Sequence, residues 1–304
     1  MSSKPHHHHP THWILDWDGT ITKNDTLDTL VHIAATAKPN FPTQDHWRRV
    51  SQAYMNDYSA TIEKLAPNGH LPQSFEDEKR LLAQLKAVEQ RSLDRVSSSS
   101  IFAGLSRKAL EEGAWQAIAS RRVEIRNGFA AFFQHIQVRE RDRISILSVN
   151  WSRHFIRSCL DACGINLPFA STLSNELDKI DSGEPSTGLI VPATGADGTS
   201  IISSGDKLER LKDMRRENER IVYVGDSWTD IECLFAADVG ICIRDECLGS
   251  GQKKLAKALE RLGAVCPRLK DWEGADQCGV PWATDFGEIR DWMESRPSQQ
   301  QSAK

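Results

Sequence analysis

The sequence predicts an α/β protein: a Rossmann-like parallel sheet covered by helices on both faces, interrupted after its first strand by an all-helical module. Three observations carry this. A short apolar run closes on "DWDGT" at 16–20. Helical periodicity then holds from residue 26 to about 137. From residue 143 onward, β-branched runs mostly alternate with helical segments, the pattern of a sheet buried on both sides.

Residues 13–15 are apolar, β-prone and short, which predicts a buried strand that Gly19 turns away from. Alternation sends Asp16 and Asp18 to one side and Trp17 to the other, so two carboxylates need a cation or a shared proton. Asp and Gly serve equally well as turn residues at such a junction, so this stretch alone leaves both readings open. Next come four segments with apolar residues at i, i+3 or i+4: 26–37, 44–65, 74–96 and 106–121. "KPNFPT", "APNGHLP" and "SSSS" separate them. The expected strands are "RISILSV" (143–149), "ASTLS" (170–174), "TGLIVPA" (187–193), "RIVYVG" (220–225) and "VGICI" (239–243). Residues 250–263 predict a helix, and "GVPWATDFGEIRDWM" a last helix packed on the core.

The 304 residues suffice for one sizeable core plus an accessory module, and 39% hydrophobic with 26% charged residues is ordinary for a globular chain. A formal charge of −4 argues against nucleic acid or an anionic membrane as the main partner. No run of about 18 apolar residues predicts a spanning helix, and the first residues lack the apolar segment of a secretory signal. Seven cysteines without a C-x-x-C pair read as reduced core thiols, so a cytoplasmic location is expected. The His6–His9 run reads as a disordered tail.

In an open parallel sheet, ligands bind beyond the carboxyl ends of the strands, which turns four separated stretches into one site. "DWDGT" follows the first strand, Ser148 closes the second, "SSGDK" opens a helix carrying Lys207, and "VGDSWTD" places Asp226 in a loop and Asp230 at the next helix. Asp16, Asp18, Asp226 and Asp230 with one lysine would be badly destabilised without a divalent ion. Oxygen donors suit Mg²⁺. Such a cation, Lys207, the Ser148 hydroxyl and the backbone N–H groups after Asp16 can hold an oxyanion, which is the logic of phosphoryl transfer.

These four stretches resemble, in order and spacing, the motifs of the haloacid dehalogenase superfamily of aspartate-nucleophile hydrolases. "DGTITKNDT" and the hairpin "SNELD…STGLI" are most similar to its phosphoserine-phosphatase-like branch, including fungal cytosolic members. The resemblance covers about residues 12–245 and implies an α/β core (12–25 and 125–292), a helical cap (26–124) and disordered tails (1–11 and 295–304). It further implies Asp16 as nucleophile and Asp18 as general acid and base. Mg²⁺ would be bound by Asp16, the Asp18 carbonyl and Asp226, with Asp230 acting through water or on the surrounding ligands. Phosphate contacts would come from Gly19, Thr20, Ser148, Asn150 and Lys207. The implied substrate is a small-molecule phosphate monoester; a sugar phosphate, nucleotide, thiamine-pathway phosphate or methylthiopentenyl phosphate would all fit a cap of this size.

Asp18 favours phosphate over carbon–halogen chemistry, because halide leaves without a proton. A phosphomutase would share all four motifs, and a catalytically idle binding protein would not need them. "VNWS" (149–152) replaces the glycines usual after the second-motif serine, so Asn150 and Trp151 alter the phosphate side. Arg153 is expected on a solvated helix face, Asp206 as a helix N-cap, and Trp47, Trp115 and Trp292 as packing residues.

Overall fold

The structure, a computed structural model, describes residues 10–192, 198–274 and 279–295. The His6–His9 run, Ala193 and most of both predicted tails lie outside the described residues. Strand β1 (Thr11–Leu15) enters one residue inside the stretch assigned to the N-terminal tail. Four helices follow: α1 (Leu27–Ala37), α2 (Thr43–Leu65), α3 (Phe75–Ser98) and α4 (Arg107–Ala119). The chain then runs through α5 (Phe129–Gln137), β2 (Arg143–Leu147), α6 (Arg153–Ala162) and the short strands β3 (Thr172–Leu173), β4 (Glu176–Leu177) and β5 (Ile190–Val191). It ends with α7 (Ser204–Met214), β6 (Arg220–Gly225), α8 (Ile231–Ala236), β7 (Val239–Ile243), α9 (Ser250–Arg261), β8 (Trp282–Ala283) and α10 (Phe286–Glu294).

Six strands form one parallel sheet in the order β3-β2-β1-β6-β7-β8, with Trp13 level with Ile144 on one side and Val222 on the other. β1 is therefore central, and its successive residues feed opposite layers. Trp13 and Leu15 join Phe129, Phe132, Ile146, Val224 and Phe286. Ile14 joins Leu147, Ile221, Tyr223, Leu234 and Leu259 on the other face. Burial of both faces is why these strands read as continuous apolar runs rather than alternating ones.

Serine and aspartate start many of the helices. Ser74, Ser106, Ser152, Ser203 and Asp285 each accept a backbone N–H three residues on. The cap of α7 is thus Ser203; Asp206 sits in its first turn, and its Oδ2 accepts from Ser203 Oγ at 2.7 Å. Asp206 is not the N-cap, because the serine hydroxyl stands at the position where an acceptor for the first free N–H groups is needed.

Two other expectations change. "TGLIVPA" does not enter the parallel sheet: Ile190–Val191 pair antiparallel with Glu176–Leu177 in a separate hairpin. The connecting chain turns back through the positive φ angles of Lys179, Gly183 and Gly188, and an antiparallel return needs no crossover. Residues 279–283 are not helical either. Pro281 cannot continue a helix; Trp282 pairs with Cys242 at the sheet edge before Asp285 starts α10.

Helices α1–α4 form an insertion whose two ends meet at one place. Thr22 pairs with Ile125 in an isolated antiparallel bridge, Lys23 N donates to the Glu124 carbonyl at 2.9 Å, and the two side chains form an ion pair at 3.1 Å. Within it α2 packs on α3, and α1 on both α2 and α4, while α4 lies against α6 of the core. The other side is held by Glu78 of α3, fully buried, which accepts from Arg261 of α9 at 2.6 and 2.7 Å and from Trp228 Nε1 at 2.6 Å. Trp47 and Trp292 are packing residues, but Trp115 is 55% exposed, because it faces away from the stripe of α4 that buries Leu110, Ala114 and Ala117. None of the described helices is long and apolar enough to cross a membrane.

Candidate active site

The carboxyl ends of β1, β2 and β6 and the first turn of α7 bring the predicted residues together. Asp16 continues β1, its N–H donating to the Val224 carbonyl at 2.9 Å. The chain then leaves the sheet through Asp18, still extended, and Gly19 at φ +72°. Glycine is required at position 19 twice over: for that left-handed backbone, and because a Cβ there would lie 2.4 Å from Asp226 Oδ2.

Lys207, fully buried, is the centre of charge. Its Nζ lies 2.9 Å from Asp16 Oδ1 and donates to Asp230 Oδ1 at 2.7 Å. Burial alone would lower its pKa; the two carboxylates outweigh that and hold the ammonium charged. Asp230 is saturated by protein donors. Tyr223 OH donates to Oδ1 at 2.6 Å, while Asp226 N, Ser227 N and Ser227 Oγ reach Oδ2 at 3.1, 2.9 and 2.9 Å. Burial pushes its pKa up, but Lys207 and these hydrogen bonds prevail and it stays below the ordinary carboxylate value.

The neighbours are held the other way. Asp16 is raised well above the usual range by burial, then by Asp230 and Asp226, with Lys207 opposing. Asp226 is pushed up to about 8 by burial and by Asp230, although Thr20 Oγ1 donates to its Oδ1 at 3.1 Å. Carboxylate oxygens of Asp16, Asp226 and Asp230 lie within 4.8 Å of one another. Three acids against one ammonium, with two of them strained toward protonation, form an all-oxygen acceptor set that fits a small divalent cation.

Asp18 stands apart from this trio. Its Oδ1 accepts from Thr26 N and Oγ1 at 2.8 and 2.6 Å, and its Oδ2 accepts from Asn150 Nδ2 at 2.9 Å. Burial raises its pKa while these donors lower it, and burial wins. Ser148 is fully buried, its Oγ accepting from Asn150 N at 3.1 Å. Asp16, Asp18, Gly19, Asn150 and Asp226 line a cavity of about 900 Å³, whereas Ser148, Lys207, Thr20 and Asp230 are buried and do not line it.

Three residues of the site have no part in the sequence-based expectation. Arg126 ties down the turn after β1, donating to the Gly19 and Thr20 carbonyls at 2.6 and 2.9 Å; no local pattern marks it. Thr26 reads in the sequence only as the start of a helix. Tyr223 carries a usable signal, a phenol inside an apolar strand, since a buried Tyr OH needs a partner. Arg153, expected on a solvated face, is buried: it donates to Asp181 at 2.9 Å and stacks over Phe169 at 3.9 Å. The first turn of α6 turns inward beneath the β4–β5 hairpin, which accounts for the difference.

A sheet-end acidic pit with a buried lysine, reached through a helical insertion, defines a family of hydrolases. The model of the haloacid dehalogenase-like hydrolases matches residues 14–234, and the chain belongs to that family. Among curated proteins it is 28% identical over 241 residues to a CTO1 family protein of Schizosaccharomyces pombe, covering 76% of this chain and 81% of that one. It is also 26% identical over 250 residues to the mitochondrial bifunctional TH2 protein of Arabidopsis thaliana, where the match covers 75% of this chain but 38% of the relative. Among solved structures, a phosphoserine phosphohydrolase-like protein from Francisella tularensis aligns at a TM-score of 0.52, with 12% identity over 92% of this chain and 98% of that one. A phosphoserine phosphatase in its apo form aligns at 0.50, with 14% identity over 95% and 100%. These structural likenesses concern the fold, and they agree with the resemblance read from the four motifs.

Proposed function

We propose that the protein is a Mg²⁺-dependent phosphatase that hydrolyses a small-molecule phosphate monoester through a phosphorylated Asp16. The observation that carries this is the Lys207 bridge, 2.9 Å from Asp16 and 2.7 Å from Asp230, set beside a second carboxylate held independently by Thr26 and Asn150. Two carboxylates one residue apart thus have separate surroundings, as two different tasks require.

Asp16, Asp226 and the Asp18 carbonyl would hold the ion, which supplies charge neutralisation for the phosphoryl oxygens. Asp230 has its lone pairs engaged by five donors, so its task is to fix Lys207 and the 225–227 loop. An Asp16 carboxylate oxygen forms a bond to phosphorus as the ester P–O bond breaks. Asp18, whose raised pKa favours carrying a proton, gives it to the departing oxygen. Water then loses a proton to Asp18 and attacks phosphorus, and release of phosphate restores Asp16. Asn150 and Thr26 keep Asp18 aimed through both steps. Lys207 opposes protonation of Asp16 and balances the negative charge beside it.

The partner is a small phosphate ester; a polyanion would meet an acidic mouth. The test is phosphate release from p-nitrophenyl phosphate with Mg²⁺, with and without chelator, by wild type and Asp16→Asn. Mg²⁺-dependent turnover that vanishes in the variant is expected. Activity retained by Asp16→Asn refutes the nucleophile assignment.

A further inference from the structure

The cavity of about 900 Å³ is far larger than a phosphoryl group, and the insertion supplies its outer wall with a definite chemistry. Trp47 and Tyr54 of α2 and Trp151 of the core line it, and two of these aromatics are anchored by acids that also line it. Trp47 Nε1 donates to Asp28 Oδ1 at 2.7 Å, and its ring meets Trp151 edge-on at 5.9 Å and 84°. Tyr54 OH donates to Glu89 Oε1 at 2.9 Å. In both carboxylates the second oxygen receives no donor among the described residues.

Among the lining residues the charge of this outer half is one-sided, although Lys254, which is not one of them, acts on Glu89 and donates to Tyr58 OH at 3.1 Å. Asp28 and Glu89 stand there with Asp25, whereas the cation among the lining residues, Lys23, is paired with Glu124 at 3.1 Å. An ester carrying a second anion, whether another phosphate or an α-carboxylate, would find acids and no free cation among the lining residues. A positive group would find carboxylate oxygens and aromatic faces together, which is how organic cations are recognised.

We propose that the leaving group is an organic cation, a quaternary or heteroaromatic nitrogen, seated between Trp47, Tyr54 and Trp151 and balanced by Asp28 and Glu89. The proposal rests on the phosphatase reading and adds the substrate class. The nitrogen lies on the alcohol side of the ester, so the product is a cationic alcohol that retains its contacts until it leaves through the insertion.

The test compares kcat/KM on phosphocholine and thiamine monophosphate with that on glycerol 3-phosphate and phosphoserine, with p-nitrophenyl phosphate as the generic ester. A preference of about tenfold or more for at least one cationic ester is expected, from the strength of a desolvated cation–aromatic contact. Asp28→Asn and Glu89→Gln, each checked for fold by circular dichroism, should each reduce that preference several-fold. Turnover of p-nitrophenyl phosphate without cation preference overturns the proposal and leaves the phosphatase reading standing. If nothing is turned over, the phosphatase reading fails, and titration of tryptophan fluorescence with choline and thiamine decides this one: quenching absent from Trp47→Leu supports the cation seat, and no quenching by either overturns it.

Discussion

Removing divalent ions should make the stability of this protein fall as pH rises, and the size of the fall follows from Asp226. Its pKa moves from an ordinary 3.8 to about 8 on folding without metal, first through burial and then through Asp230. A group raised on folding contributes stability that is complete below its unfolded pKa and is lost as pH rises through its folded one. The window is therefore about pH 4–8. Between pH 5 and 8 the two titration curves separate by nearly three pH units, and at ~1.4 kcal/mol per unit this costs about 3–4 kcal/mol. Asp16, shifted the same way, adds to the slope, while Asp230, held low, does not. Saturating Mg²⁺ stabilises the ionised carboxylates and cancels the slope. For a chain of this size the loss is about 5–10 °C in Tm. Thermal unfolding in EDTA and in Mg²⁺, at pH 5 to 8, measures it directly. A Mg²⁺–EDTA gap that stays constant over that range, or that persists unchanged in Asp226→Asn, refutes the reasoning.

Lys207→Met should abolish turnover and cost about 3–5 kcal/mol in urea unfolding, because it removes the ammonium between Asp16 and Asp230; the loss should be smaller at pH 5 than at pH 8, because protonation relieves the carboxylates left without it. Gly19→Ala should drop kcat at least about 100-fold through displacement of Asp226, whose oxygen would lie 2.4 Å from the new methyl, with a right-handed Ala backbone also unavailable at φ +72°. Glu78→Ala should loosen the insertion, since it removes the carboxylate that pairs with Arg261 and accepts from Trp228 Nε1 across the interface; faster hydrogen exchange in α3 and a loss of about 3 kcal/mol are expected, and unchanged exchange would refute it.

The sheet and the meeting of its strand tips were legible because both obey short-range rules. Buried parallel strands show as apolar runs, and a ligand site at their carboxyl ends follows from topology. Asp16, Asp18, Asp226 and Asp230 could be named because carboxylates gathered at the ends of buried strands are too costly to keep without a balancing charge or proton. Lys207 followed as the ammonium that opposes them. What could not be read depends on distant pairing. Arg126 reaches Gly19 and Thr20 from more than a hundred positions away, and nothing around it signals that errand. The inward turn of Arg153 follows from where Asp181 and Phe169 come to rest. Asp206 yielded its capping place to Ser203 because two good caps stood three residues apart and local pattern does not rank them. The lining of the cavity was equally hidden, since Trp47 and Trp151 lie about a hundred positions apart and meet only when α2 folds over the sheet.

The Thr22–Ile125 bridge makes the insertion leave and re-enter the core through a single doorway. Roughly a hundred residues of chain therefore lie between two fixed ends, free to vary within the limits set by the Thr26 bonds to Asp18 and the Glu78–Arg261 pair. Much of the outer wall of the cavity thus belongs to a stretch of chain whose entry and exit are pinned together, and which does not itself carry the Asp16–Lys207–Asp230 contacts.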